Sequence, residues 1–283
     1  EVRKFIDEDR LNRIFLISDG QANVGPKTPQ ELGELGISLA KEGISVTTIG
    51  LGAGYNEDLM AQLALKSDGR HSFVEDATQL AQIFNEDFGE MLSVVAQEVE
   101  IVVNCKPGIR PVRLLGRDGD ISGQKVVTSM NQIYSQQEQY FLLEVEVPAA
   151  EQDSKLDVAT VNLAYLNMGT KNRDKLSSSV AARFTNSKAV VSKSLNKDVM
   201  ISCVTQIALE NNQRATALRD QGRTKEAEAL LKGNVYYLFD NASKLNSEFL
   251  RSYGDFNRIN ADNLNSTNWA LERKKMRYQQ SRV

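Results

Sequence analysis

The sequence is poor in the residues that most often carry chemistry. One histidine, His71, occurs in 283 residues. A Ser-His-Asp or Cys-His mechanism would have to use it. It opens a short apolar run, His71-Ser72-Phe73-Val74, and reads as a strand-end residue rather than a base. Two cysteines, Cys105 and Cys203, lie far apart. That spacing excludes a disulfide framework and a clustered zinc site, so both read as buried free thiols. No apolar window reaches the roughly 18 residues that a membrane helix needs. Neither charge sign dominates: the net charge is −3 and the pI about 5.5, which gives no reason to expect a nucleic acid partner. The opening residues, Glu1-Val2-Arg3-Lys4-Phe5, lack the basic start and apolar centre of a signal peptide. There is no initiating Met, and the chain reads as an internal fragment of a longer protein.

What is present is an ordinary globular balance, 41% hydrophobic and 25% charged, arranged in three regimes. Residues 1–95 alternate strand and helix signals. Arg13 to Ile17 reads as a buried strand. Thr28-Pro29-Gln30-Glu31 has the form of a helix start, with Thr as cap, Pro in the first turn and Glu three residues on. Leu32, Leu35, Leu39 and Ala40 then make a helical stripe that Gly43 stops. Ile44 to Ile49 is a β-branched strand, and Gly50-Leu51-Gly52-Ala53-Gly54 a tight loop whose spacing is wrong for a dinucleotide fingerprint. Asn56 to Lys66 reads as helix, Ser72 to Val74 as strand. Ala77 to Val95 reads as a longer helix with Leu80, Ile83, Phe84, Phe88 and Leu92 on one stripe. Such repeats imply a parallel sheet with helices on both faces, a doubly wound α/β domain.

From residue 96 to 193 the period changes to two. Val99, Ile101 and Val103, then Leu143, Val145 and Val147, then Val161, Leu163 and Tyr165, then Val180, Ala182 and Phe184 alternate with polar residues. This pattern implies an antiparallel β-sandwich. Arg117-Asp118-Gly119-Asp120 lacks the acidic positions of a calcium loop and reads as a hairpin turn. Residues 194–283 turn helical. Met200, Val204, Ile207, Ala208, Asn211, Ala215 and Leu218 form one stripe. Ala227, Leu231, Val235, Leu238, Ala242, Leu245 and Phe249 form a second, and a third helix covers Asn260 to Gln279. Arg273-Lys274-Lys275, with Arg277 and Arg282, reads as a solvated basic end.

The residue that asks for a function is Asp19. It follows an apolar strand directly and precedes Gly20. In an open parallel sheet ligands sit at the carboxyl ends of strands. A carboxylate there suits a hard cation such as Mg²⁺. The segment Arg13 to Gly25 resembles the strand and loop of a von Willebrand factor type A domain. The order downstream agrees: Gly43 to Gly52, Asn56-Glu57-Asp58-Leu59-Met60, Gly69 to Val74, and Leu80-Ala81-Gln82-Ile83-Phe84. The resemblance covers about residues 1–95. The whole chain is similar to bacterial type A proteins that carry a β-sandwich and a helical tail behind that domain.

The resemblance implies a non-enzymatic module for protein recognition, adhesion or scaffolding. It also implies a metal-ion-dependent adhesion site that holds Mg²⁺ or Mn²⁺ in the intact parent. Asp19 matches that site's Ser-Asp-Gly loop. The family's Asp-x-Ser-x-Ser motif is absent before Asp19, and no threonine occurs before Thr28. The remaining ligands are therefore absent from this chain, and it is expected to hold no metal tightly by itself. About half of the α/β domain would lie outside it. Residues 1–12 would be the end of a preceding helix, with Phe5, Ile6 and Leu11 inward and Asp7-Glu8-Asp9 solvated. The exposed edge would favour a homo-oligomer or swapped dimer. The partner is an unidentified protein. The family's exported and membrane-anchored bacterial members imply an extracytoplasmic or membrane-associated location, while two unpaired cysteines fit a cytoplasm. Two other readings stand beside this one: a metal-dependent hydrolase using Asp19 and Asp58, and a structural or assembly protein acting through the sandwich and the helices.

Overall fold

Local signals set the first elements. The computed structural model describes residues 2–7, 10–91 and 93–282. A single 3-10 turn spans Val2–Phe5, with Phe5 exposed, so the expected preceding α-helix is absent from the described part of residues 1–12. Glu8 and Asp9, two of the three residues of the expected acidic run, lie outside the described residues. Strand β1 (Asn12–Ser18) leads to helix α1 (Pro29–Lys41). The capping box forms as expected: Glu31 N–H donates to Thr28 Oγ1 at 3.2 Å, and Thr28 N–H donates to Glu31 Oε2 at 3.0 Å. Then come β2 (Ile44–Leu51), α2 (Glu57–Lys66) and β3 (His71–Val74). Asn56 caps α2, its side-chain oxygen accepting from the amides of Asp58 and Leu59.

The three strands form one sheet in the order β1-β2-β3, and β2 pairs with β3 in parallel. Here the expected buried strand is corrected. Leu16 and Ile17 of β1 are 37% and 51% exposed. The reason is position: β1 ends the sheet and has a neighbour on one side, whereas β2, flanked on both, is buried at all but its last residue.

The next helix is shorter than its apolar stripe suggests. A 3-10 turn (Ala77–Gln79) runs into α3 (Leu80–Met91), and β4 (Val94–Cys105) has already begun at Val94. The β-branched pair Val94-Val95 favours strand. Phe84 and Phe88 stack on one another with ring centroids 6.0 Å apart, yet stay 40% and 47% exposed. Leu92 lies outside the described residues.

The chain forms two compact units. One comprises Glu1–Ile14, Ile37–Val46 and Ala81–Leu195. It holds β5 (Arg110–Leu115), β6 (Asp120–Ser122), β7 (Lys125–Tyr134), β8 (Leu142–Glu146), β9 (Lys155–Asn167), β10 (Arg173–Arg183) and the short α4 (Lys188–Ser194). An antiparallel five-stranded sheet, ordered β10-β9-β4-β7-β6, shares one core with the two-stranded sheet β5-β8. Val99, Ile101, Val103, Val126 and Met130 from the larger sheet are buried, with Leu114, Leu143 and Val145 of the smaller packed against them. Residues 110–134 gave no strand pattern in the sequence because β7 buries polar side chains in apolar positions. Thr128 donates to Asp118 O at 2.6 Å, and Gln132 donates to Tyr134 Oη. Cys105 is buried and Cys203, in the other unit, half-buried; both are free thiols, and burial raises both pKa values.

The other unit comprises Phe15–Gly36, Thr47–Leu80 and Asn196–Val283. Its helices are α5 (Lys197–Asp220), α6 (Thr224–Lys244), α7 (Glu248–Asn263) and α8 (Trp269–Gln280). The second stripe therefore breaks at Leu245–Ser247, and the expected third helix is two. Asn246 adopts φ 45° there, a conformation Asn tolerates, and Ser247 caps α7. A buried amide network ties the helices together. Asn257 Oδ1 accepts from Asn212 at 2.8 Å and from Asn234 at 3.0 Å. Gln280 of α8 donates to Asn212 Oδ1 at 2.7 Å and to Thr216 Oγ1 at 3.0 Å.

Asn257→Leu strands two buried amide donors. It is expected to destabilise this unit by roughly 2–5 kcal/mol. Urea unfolding followed by the fluorescence of Trp269, the single tryptophan, measures it. An unchanged midpoint would show that the network is not structural.

Candidate functional site: the Asp19 loop and the helix behind it

Asp19 stands one residue beyond β1 and is exposed. Among the described residues its carboxylate makes no ion pair. The loop that carries it is held by the loop after β2. Gln21 donates to Gly54 O at 2.6 Å. A Cβ on Gly54 would lie 2.4 Å from the Asp19 carbonyl oxygen, so only glycine lets the two backbones approach. The carboxyl ends of β1 and β2 thus form one rim. A cation needs more donors than this rim offers. Mg²⁺ takes an octahedral set of oxygens, and no group of three His, Cys, Asp or Glu side chains is poised for a metal among the described residues. The residues present do not fit a metal centre.

Asp58, paired with Asp19 in the hydrolase reading, is engaged elsewhere. Arg273 of α8 reaches it at 2.6 Å and Arg277 at 3.1 Å. Arg273 also pairs with Glu57 and, at 2.7 Å, with Asp220 at the end of α5. Lys274 is 3% exposed. Its ammonium pairs with Glu57, donates to Tyr55 O at 2.7 Å and sits 4.4 Å from the Tyr55 ring centroid. Lys275 pairs with Glu75 at 3.0 Å. The expected solvated basic end is thus corrected: the run docks α8 by charge. Leu271 and Tyr278 of α8 add apolar packing against Tyr55, Met60 and Phe73. The run reads as solvent-facing because its partners, Glu57 and Asp58, lie more than 200 residues away. The clue in the sequence is that Arg273, Lys274 and Arg277 recur at helical spacing opposite no acidic residue of their own helix.

The electrostatics follow from burial and pairing. Burial pushes the Glu57 carboxyl up, but hydrogen bonds from Lys274 and Arg273 outweigh that and hold it below the usual range. Asp58 shifts down for the same reason, through Arg273 and Arg277. The Arg273 guanidinium is raised against its own desolvation by Asp220, Asp58 and Glu57.

His71 is indeed a strand-end residue, the first of β3, and is buried. Its Nδ1 lies 2.9 Å from Thr48 Oγ1 and its Nε2 3.3 Å from Tyr55 Oη. Burial lowers its pKa to about 4. Burial, with the charge of Glu57 second, raises the Tyr55 hydroxyl. The tight loop at Gly50–Gly54 begins inside β2, and a Cβ on Gly50 would meet the Tyr55 ring at 2.0 Å. Sequence spacing could not show that this glycine seats an aromatic ring.

The low His71 pKa fixes the sign of a pH effect. The unfolded chain takes up the proton first, so stability is complete above about pH 6.5 and falls towards pH 4. Between about pH 7 and 5 the loss is expected to be roughly 2 kcal/mol, before the carboxylates begin to titrate. Urea midpoints read by Trp269 should show it in the wild type and a much smaller change in His71→Asn. Equal pH dependence in both would contradict the assignment.

No family model matches the chain. Over 98 residues it is 29% identical to the uncharacterized protein YfbK of Escherichia coli (strain K12), covering 34% of this chain and 17% of that protein. Among solved structures, the von Willebrand factor type A protein from Catenulispora acidiphila aligns with a TM-score of 0.66 at 15% identity, over 85% of this chain and 58% of that one. The ArnB paralog VWA2 from Sulfolobus acidocaldarius aligns with a TM-score of 0.51 at 14% identity, over 99% and 66%. The chain therefore spans less than two thirds of each of these proteins. Identities this low speak for architecture alone: this chain has the fold of von Willebrand factor type A proteins.

Proposed function

We propose that this chain is part of a non-enzymatic protein-recognition module that binds through the rim carrying Asp19. The observation that carries the reading is the exposed Asp19 loop, pinned to Gly54 at the carboxyl end of a sheet with the type A fold. A rigid rim with an exposed carboxylate loses little entropy on binding and suits a cationic or hydrogen-bond-donating group on a partner. A divalent cation shared with a partner at Asp19 would need further ligands from polypeptide outside these 283 residues. The non-enzymatic part of the proposal draws support from the side chains that catalysis would require. His71 is buried with both ring nitrogens engaged, and Asp58 is neutralised by two arginines.

Two measurements test this. Calorimetric titration with Mg²⁺ and Mn²⁺ is expected to give no difference between the chain and Asp19→Ala. Turnover of p-nitrophenyl esters and phosphoesters is expected to stay at background for both. Cation binding or hydrolysis that disappears in Asp19→Ala would replace the recognition reading with a metal-dependent one.

A further inference from the structure

Two neighbouring carbonyls sit between the Asp19 loop and α8. Gly54 O accepts from Gln21, whose loop carries Asp19. Tyr55 O accepts from Lys274 at 2.7 Å. The Tyr55 ring leaves no room for a Cβ on Gly50, and the Asp19 carbonyl leaves none on Gly54. The peptide between the two loops therefore has little freedom to move independently of either side. Towards α2, α8 is held mainly by charge. Arg273, Lys274 and Arg277 meet Glu57, Asp58 and Asp220, while the apolar contact to α2 and β3 rests on Leu271 and Tyr278. Desolvation of such pairs cancels much of their attraction, so they give register and specificity more than affinity. The opposite face of α8 buries Met276 in the helical core and bonds Gln280 to Asn212 and Thr216, so the contact with α2 is the one suited to open while α8 stays in its bundle.

We propose that α8 is a latch whose docking through Lys274 sets the conformation of residues 52–56 and, through Gly54, of the Asp19 loop. Occupancy of the rim and release of α8 from α2 are then linked. This regulatory role rests on the rim being the binding surface, but the linkage itself is testable without any ligand. Coupling is reciprocal: whatever loosens α8 loosens the Asp19 loop, and the reverse.

The test is amide hydrogen exchange on the full chain. Lys274→Met keeps the stem and removes the ammonium. It should raise exchange in residues 52–56 and 19–25 by at least about five-fold. Lys275→Met, which removes only the pair to Glu75, should leave both segments unchanged. Gln21→Ala, on an exposed loop where loss of fold is not at issue, should raise exchange in residues 269–280 to a similar degree. The proposal is overturned if α8 exchanges faster in Lys274→Met while residues 19–25 do not. It is equally overturned if Gln21→Ala leaves α8 untouched. Should the linkage hold while Asp19→Ala leaves partner capture by the full chain intact, the latch stands and the rim reading falls.

Discussion

A buried lysine sets the terms for half of this molecule. Lys274 is out of water, and an isolated ammonium there would be far too costly to keep charged. Its Glu57 partner, the Tyr55 carbonyl and the Tyr55 ring compensate together. Each of these constrains something else. Glu57 opens α2 and is shared with Arg273, which reaches Asp58 and Asp220. Tyr55 spans from the lysine to His71 and occupies the space that a side chain at Gly50 would take. One charge thus ties together the helix, the loop after β2 and the aromatic ring beside His71.

The same arrangement engages the carboxylates of α2 and leaves the rim exposed. Asp58 and Glu57 lie in the stretch where the α/β pattern puts a helix start, a natural place for anionic side chains. Their oxygens are consumed by arginine and lysine. Asp19, by contrast, is exposed, with its backbone wedged against Gly54 and its carboxylate in no ion pair among the described residues. Recognition through such a rim requires shape and a fixed backbone, which the Gln21–Gly54 bond and the two glycines supply.

Much of the architecture was legible in the sequence because it rests on local rules. The Thr28 capping box, the helix ending at Lys66 and the β-branched β2 each follow from neighbouring residues, and all stand where the pattern placed them. What escaped was non-local. Apolar Leu16 and Ile17 implied burial, but burial of a strand depends on neighbours on both sides, and β1 has one. β7 hid behind Thr128 and Gln132, polar residues whose partners make them acceptable in a core. Arg273, Lys274 and Arg277 imply a solvated tail until the carboxylates of residues 57 and 58 are placed beside them. The position of Asp19 at the end of β1 was legible. The latch behind it was not, since it pairs residues from opposite ends of the chain.

Lys274 and Glu57 are energetically coupled, and their contact organises α8 on α2. A double-mutant cycle tests it most directly: wild type, Glu57→Gln, Lys274→Met and both together, with unfolding read by Trp269. The account predicts that each single change is costly because it leaves a buried charge, and that the double variant recovers at least about 1 kcal/mol relative to their sum. Strict additivity would contradict it, since the lysine and the glutamate would then be buried side by side without depending on one another.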